Sequence, residues 1–477
     1  MPIVLFRLLG LAVLILATAS ASADRPPNVV IIFTDDQGYN DIGCFDSPDI
    51  RTPHLDEMAK QGMRFTDFYV ASPVCSSSRA ALLTGCYPER VGIRGVFFPN
   101  RGYDGLHPDE ITIADLLKTK GYATGIFGKW HLGDEKPFLP TRQGFDTYYG
   151  IPYSNDMTVN PLMDVAEDVL WREGMTLEKM RDFKQKKKNW VPLMRDEEVI
   201  EYPVDQRTIT KRCTQEAIAF IKQNKGKPFF VYVPHTMPHI PLFVSKDFEN
   251  GNKQRGIYGD VIEEIDWSVG QIIGAIKELK LDDETLVIFT TDNGPWLKFG
   301  RNGGSALPLR DGKFTSYEGG QRVPTIVRWP GRVPAGQDCA EVAGTIDLLP
   351  TIAGLANAEL PSGRMIDGKD ILPLLEGRPN AKSPHEAFFF QRGAVRQGKW
   401  KLHFKARSTV KDQPVGKLPA LYDLSTDIGE TKNLASQHPE VVAKLKALYE
   451  AHLVDIKANS RPKGQIDAKG KPSDKKK

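Results

Sequence analysis

Asn28-Val29-Val30-Ile31-Ile32-Phe33-Thr34 runs straight into Asp35-Asp36. A near-continuous apolar, β-branched run of this length reads as a strand buried on both faces of a parallel sheet. Three further runs have the same form. Tyr122–Phe127 leads into Gly128-Lys129-Trp130-His131, Phe229–Val233 into Pro234-His235, and Thr285–Thr291 into Asp292-Asn293. Helical patterns lie between them, at Pro53–Gln61, Ile111–Lys118, Ile209–Lys222 and Gly259–Leu279. This alternation predicts an α/β fold in which a large, mostly parallel sheet is sandwiched by helices. Ligands of such sheets sit at the carboxyl ends of the strands. Four strand ends carrying charged or imidazole groups therefore imply one shared site.

The rest of the chain frames that core. At 477 residues and 40% hydrophobic content it is long enough for one large domain and a smaller one. The formal charge is +3, but seven Lys/Arg against two Asp lie in the last 17 residues, Arg461 to Lys477. Without those five net charges and Arg7, residues 24–460 carry −3. No clustered basic face points to nucleic acid. Residues 1–23 read as a signal peptide: Arg7, the apolar run Leu8–Ala17, and the small residues Ala21-Ser22-Ala23. That run is too short to span a membrane, so a secreted or periplasmic protein cleaved after about Ala23 is expected. Residues 24–383 form the expected main domain. Within it, 154–206 is polar and weakly periodic, carries Lys184 and Lys186–Lys188, and reads as an insertion over the site. Residues 384–460 follow a different pattern, with short strands at Ala387–Phe390, Gly393–Lys399, Leu402–Lys405 and Leu421–Leu424, then a helix at Pro439–Ile456. This predicts a small α+β subdomain, followed by a disordered basic tail over 461–477.

Five cysteines, Cys44, Cys75, Cys86, Cys213 and Cys339, leave one odd thiol in an exported chain. The local sequence singles out Cys75. Cys75-Ser76-Ser77-Ser78-Arg79-Ala80-Ala81-Leu82-Leu83-Thr84-Gly85 places the cysteine at the start of a helix-forming run. Backbone N–H groups and the helix dipole favour an anion there. Arg79, four residues on, falls on the same helix face. A reactive group, an anion cradle and an arginine suit attack on a tetrahedral oxyanion ester. Asp35, Asp36, Asp292 and Asn293 offer three carboxylates and an amide oxygen, an all-oxygen set for calcium or magnesium. An Asp pair after a strand can also cap a helix; a second set on another strand end weighs for the metal. His235 and His239 have H-x-x-x-H spacing, but Pro234, Pro238 and Pro241 forbid the regular helix a zinc pair would need.

The Cys75–Gly85 segment resembles the signature of the type I, formylglycine-dependent sulfatases of the alkaline phosphatase superfamily, Cys-x-Pro-x-Arg followed by Leu-Thr-Gly. Asp35-Asp36-Gln37-Gly38-Tyr39, Gly128-Lys129-Trp130-His131-Leu132-Gly133, Thr291-Asp292-Asn293-Gly294-Pro295-Trp296 and Gly312–Gly320 with Arg322-Val323-Pro324 resemble further motifs of that family, in its order. So do Leu421-Tyr422-Asp423-Leu424 and Glu430–Leu434. One position departs: Ser77 stands where the family usually has proline or alanine. That position matters for recognition by the maturation enzyme, either oxygen-dependent (formylglycine-generating) or radical.

The resemblance implies an alkaline phosphatase-like sheet and hydrolysis of a sulfate ester. It implies that Cys75 becomes formylglycine, whose hydrate attacks sulfur. One calcium ion is expected at Asp35, Asp36, Asp292, Asn293 and residue 75. His131 is the implied base, His235 and Lys313 the donors to the leaving oxygen, and Lys129 and Arg79 the holders of diol and sulfate charge. His239, Asn155, Asp156, Trp296, Arg301 and Arg310 are candidate pocket residues. The substrate expected of an exported enzyme of this type is a sulfated glycan or an aryl sulfate. Two rivals remain: a phospho- or phosphonate-monoester hydrolase of the same superfamily, and an unmatured carbohydrate-binding homologue.

Overall fold

A computed structural model describes residues 25–99, 104–182, 188–411 and 413–466. The signal-peptide reading, Lys184, Lys186, Lys187 and the last 11 residues of the tail lie outside these. The chain builds an eleven-stranded central sheet. Its order is Gln337–Cys339, Met63–Phe65, Thr325–Arg328, Thr285–Thr291, Asn28–Thr34, Phe229–Pro234, Ala123–Lys129, Thr147–Ile151, Leu193–Arg195, Glu198–Tyr202, Val165–Trp171. The middle five, from Thr285–Thr291 to Thr147–Ile151, are mutually parallel. Antiparallel pairings enter outside them. The four strands expected from the sequence are adjacent at the centre.

Strand alternation explains the two covering layers. Val29, Ile31 and Phe33 face one hydrophobic core, while Val30 and Ile32 face the other. The first core takes Ala80, Leu82 and Leu83 of helix Cys75–Thr84, with Leu116, Leu117 and Leu348. The second takes Leu55, Ile221, Ile265 and Ile272 from helices Pro53–Lys60, Ile209–Asn224 and Ile257–Glu278. Apolar residues on both faces are why these strands read as continuous runs.

The C-terminal subdomain is a four-stranded antiparallel sheet, Phe388–Phe390, Ala394–Gln397, Trp400–His403 and Ala420–Asp423, covered by helix Pro439–Asn459. A dry network of charges bolts it to the main domain. Lys401 Nζ lies 2.7 Å from Glu318 and 3.2 Å from Glu430, and His403 Nε2 lies 2.7 Å from Glu430. Tyr69 donates to Glu318 at 2.6 Å, and Arg396 pairs with Asp67 at 2.6 Å. Lys401, Glu318, Glu430 and His403 are fully buried.

Two sequence readings are corrected. Residues 154–206 are not a separate cover, because strands at 165–171, 193–195 and 198–202 extend the central sheet at one edge. The edge strand Val165–Trp171 is half exposed, which is why its sequence is polar. The tail does not become disordered at residue 461. Arg461 pairs with Glu110 at 2.7 Å, and Gly464–Gln465 adds a strand to Asp104–Gly105. Among the described residues no helix is long and apolar enough to cross a membrane.

Lys401→Met removes the buried cation shared by Glu318 and Glu430, leaving Glu318 to Arg322 and Glu430 to His403. Denaturant unfolding should show a loss of about 3 kcal/mol or more, the usual cost of halving a buried ion pair.

Candidate active site

The site forms where the central strands end. Asp35 and Asp36 follow strand Asn28–Thr34, and Asp292 and Asn293 follow its parallel neighbour Thr285–Thr291. Asp36 has φ of 66°, the left-handed region that aspartate tolerates better than most side chains. Its N–H donates to Asp292 Oδ1 at 3.1 Å, so the two acidic turns lock together. Lys313 arrives on the segment after Gly312. Gly294 permits this: a Cβ there would meet the Gly319 carbonyl oxygen at 1.7 Å, and Gly294 N–H donates to the Gly320 carbonyl instead.

Cys75 is the first residue of helix Cys75–Thr84 and is buried. Its Sγ lies 3.6 Å from Asp35 Oδ1 and 3.4 Å from Lys313 Nζ. Lys313 Nζ lies 2.6 Å from Asp36 Oδ1, and Lys129 Nζ lies 2.6 Å from Asp35 Oδ2. Arg79 donates through Nε and Nη2 to Asp292 Oδ2 at 3.1 and 2.8 Å, and through Nη1 to the Lys129 carbonyl at 3.1 Å. Three cations thus face three carboxylates in a site shielded from water, where such contacts are strong.

The titrations follow from that crowding. Burial alone would raise the Asp35 carboxyl, but Lys129, then His239 and Arg79, hold it well below the usual carboxylate range. Burial and the neighbouring Asp35 push Asp292 up against the pull of Arg79. Burial pushes the Cys75 thiol up despite Lys129 and Lys313, so an unmodified thiol here is a poor nucleophile. Burial, then Lys129 and Arg79, hold His131 well below the ordinary imidazole range. Its Nε2 meets the Phe97 carbonyl at 3.1 Å, and its Nδ1 finds no hydrogen-bond partner among the described residues.

One expected role is overturned. His235 does not enter the site. It continues the alternation of Val231 and Val233 toward the second core, where its Nε2 meets Ser268 at 3.3 Å. Burial lowers it to about 4. His239 takes the place instead, with Nε2 3.6 Å from Asp36 Oδ2. Its Nδ1 lies 3.0 Å from Asn155 Oδ1 and 2.6 Å from the Ile240 carbonyl. Both partners are acceptors, so Nδ1 carries the proton and Nε2 faces the carboxylates. Ser154 was not singled out from the sequence: its Oγ lies 3.2 Å from Lys129 Nζ. A lone serine beside Asn155 carries no sequence signal of its own.

The pocket candidates divide. Trp296 lines the site, its ring 4.6 Å from Lys313 Nζ and 5.6 Å from the His239 ring. Asn155 seats His239, also donating to the Pro241 carbonyl at 2.8 Å. Asp156, half-buried next to it, keeps one oxygen without a partner. Arg310 is corrected: it donates to the Glu430 and Pro414 carbonyls at 2.6 and 2.9 Å and stacks on Tyr317, fastening the C-terminal subdomain. Arg301 is also corrected: it is exposed and donates to the Gln254 carbonyl on the wall of an outer cleft of about 900 Å³.

The donor set fits a hard cation. Ligand atoms of Asp35, Asp36, Cys75 and His239 lie within 4.8 Å of one another. Asp292 and Asn293 adjoin them, and Asn293 Oδ1 is a buried oxygen without a hydrogen-bond partner among the described residues. Buried carboxylates in this number favour a multivalent cation with oxygen ligands.

Comparison with known proteins agrees with this geometry. Residues 27–358 match the Sulfatase family, and residues 383–475 match the C-terminal region of aryl-sulfatase. Human arylsulfatase A is 40% identical over 92% of this chain and 90% of its own length. N-acetylgalactosamine-6-sulfatase of Sus scrofa is 35% identical over 89% of this chain and 85% of its own. The crystal structure of Ps i-CgsB in complex with k-i-k-neocarrahexaose superposes with a TM-score of 0.77 at 31% identity, covering 94% of this chain and 96% of that one. The chain belongs to the sulfatase family, of the alkaline phosphatase superfamily, and is a sulfuric ester hydrolase.

His239→Ala should lower kcat by about 100-fold or more, the usual scale for a lost proton donor. His235→Ala should leave kcat within about threefold and lower thermal stability, because it empties a packed site. Steady-state kinetics and melting curves on both variants check this.

Proposed function

We propose that this chain removes sulfate from a sulfated carbohydrate, with residue 75 working as formylglycine and one calcium ion held by Asp35, Asp36, Asp292 and Asn293. The observation that carries the reading is Cys75 at a buried helix start, within 3.6 Å of Asp35 and 3.4 Å of Lys313. As a thiol it is poorly reactive, since burial holds its proton on. As a hydrated aldehyde, residue 75 would supply one hydroxyl to attack sulfur and a second whose deprotonation would release sulfate and restore the carbonyl. Calcium, when bound, supplies positive charge to the sulfate oxygens.

The chain's own groups do the rest. Arg79 and Lys129 hold negative charge as it builds, in a dry site that needs no reorganisation. Lys313 presents Nζ beside Cys75 and Asp36 and gives a proton to the leaving oxygen; His239 adds one from Nε2 in its doubly protonated form, which the facing Asp36 and Asp35 carboxylates favour against burial. Asn155 orients His239, and Ser154 orients Lys129. His131 is kept neutral by burial and accepts a proton at Nδ1.

A carbohydrate substrate is favoured by relatives whose names or bound ligands are sugars, N-acetylgalactosamine-6-sulfatase and the neocarrahexaose complex. The leader read at residues 1–23 fits an exported enzyme that meets such polymers outside the cytoplasm. The phosphate-ester rival is disfavoured by relatives that are sulfatases by name, arylsulfatase A and N-acetylgalactosamine-6-sulfatase. An unmatured binding protein is disfavoured by the retention of Arg79, Lys129, His131, His239 and Lys313 around residue 75.

Mass spectrometry of the Cys75 peptide from the native host should show an aldehyde that a hydrazide traps; a fully alkylatable thiol would remove the mechanism. Chelation should abolish turnover, and calcium should restore it. Activity untouched by chelation would refute the cation nest. Sulfated glycans and an aryl sulfate, assayed side by side, should both be turned over; release from the aryl ester alone would sink the carbohydrate assignment.

A further inference from the structure

We propose that Ser76 and Ser77 are positioning residues that set the tautomer and seat of His131. The inference rests on the proton-accepting role given to His131 above. Both serines follow residue 75 on the first turn of its helix, and both are fully buried. Their hydroxyl hydrogen bonds run to residues 95 and 97. Each fastens one irregular segment: Ser77 Oγ donates to the Gly95 carbonyl at 3.0 Å, and Phe97 N–H donates to Ser76 Oγ at 3.0 Å. Those two bonds anchor residues 95 and 97 to the first turn of the helix. The Phe97 carbonyl meets His131 Nε2 at 3.1 Å.

A carbonyl oxygen accepts and never donates, so Nε2 carries the proton. The ring is neutral, since burial, Lys129 and Arg79 hold off a second proton. Nδ1 therefore carries the lone pair, and it is buried with no hydrogen-bond partner among the described residues. The other ring contact of His131 is the edge of Tyr153 at 5.6 Å, which does not distinguish one nitrogen from the other. The choice of nitrogen thus depends on Phe97, and Phe97 depends on two hydroxyls beside the reactive residue. A proline or alanine at 77 has no hydroxyl to give.

The same helix turn therefore carries the reactive residue at 75 and, through 95–97, the seat of the group that takes its proton. Fixing both from one turn keeps their spacing constant, which is what proton transfer in a closed site requires.

The test uses the full-length enzyme, matured in its native host, and the variants Ser77→Ala and Ser76→Ala. Ser76→Ala leaves the position two after the cysteine unchanged, so it separates positioning from maturation. Aldehyde content is read by mass spectrometry, and kcat is expressed per aldehyde. Each variant should lose about tenfold in kcat with KM within about twofold, because the ground-state contacts to substrate are untouched. Long-range 1H–15N spectra of the histidines should show His131 as the Nε2–H form in the parent and as a mixture in both variants. Parent-like kcat per aldehyde together with an unchanged His131 tautomer in both variants overturns the proposal. A parent protein without aldehyde or turnover counts against the sulfatase mechanism itself, while the tautomer read from the same samples still decides the positioning.

Discussion

Arg79 binding Asp292 is the interaction on which the rest of the site depends. The guanidinium donates twice to one carboxylate oxygen and once to the Lys129 carbonyl, and lies 3.7 Å from Asp35. It therefore joins the helix that begins at Cys75 to three strand ends. Removing so many charges from water costs several kcal/mol per ion unless each finds a partner at short range. Lys129 on Asp35 and Lys313 on Asp36 complete the balance. With the charges matched, the strands can end in acids without unfolding the edge of the sheet. The same fixed cations then favour a tetrahedral anion once it enters.

The C-terminal subdomain matters for that balance. Glu318 lies five residues after Lys313, on a short buried turn at Glu318–Gln321. Lys401 of the small sheet, with Arg322 and Tyr69, satisfies its carboxylate. Asp311, on the other side of Lys313, accepts from Thr409 N–H at 3.0 Å. The loop that delivers Lys313 is thus gripped at both ends by the second domain. This ties the position of Lys313 to the packing of the subdomain.

Much of the site could be read in the sequence because parallel strands force it. A strand buried on both faces has no room for charge until it ends, so Asp35, Lys129 and Asp292 stand out against apolar runs. The same logic fails one residue past a strand. Proximity to Phe229–Pro234 favoured His235, yet the parity of that strand carries its side chain into the second core. His239 returns to the site only because the loop 235–241 folds back, which no periodicity announces. Arg301 and Arg310 stood among the pocket candidates; each instead spends its donors on backbone carbonyls. The polar segment 154–206 looked like a cover because an edge strand is wet on one side and carries no apolar run.

By itself, the sequence determined the α/β architecture and the acids and lysines at the strand ends, since local period and burial leave marks along the chain. Tertiary structure alone decided which histidine faces Asp36, that Ser154 reaches Lys129, and that residues 461–466 are held by Glu110 and strand Asp104–Gly105. Each of those outcomes is a contact between segments far apart in sequence or past a turn, where the direction of a side chain is set by packing and not by its neighbours along the chain.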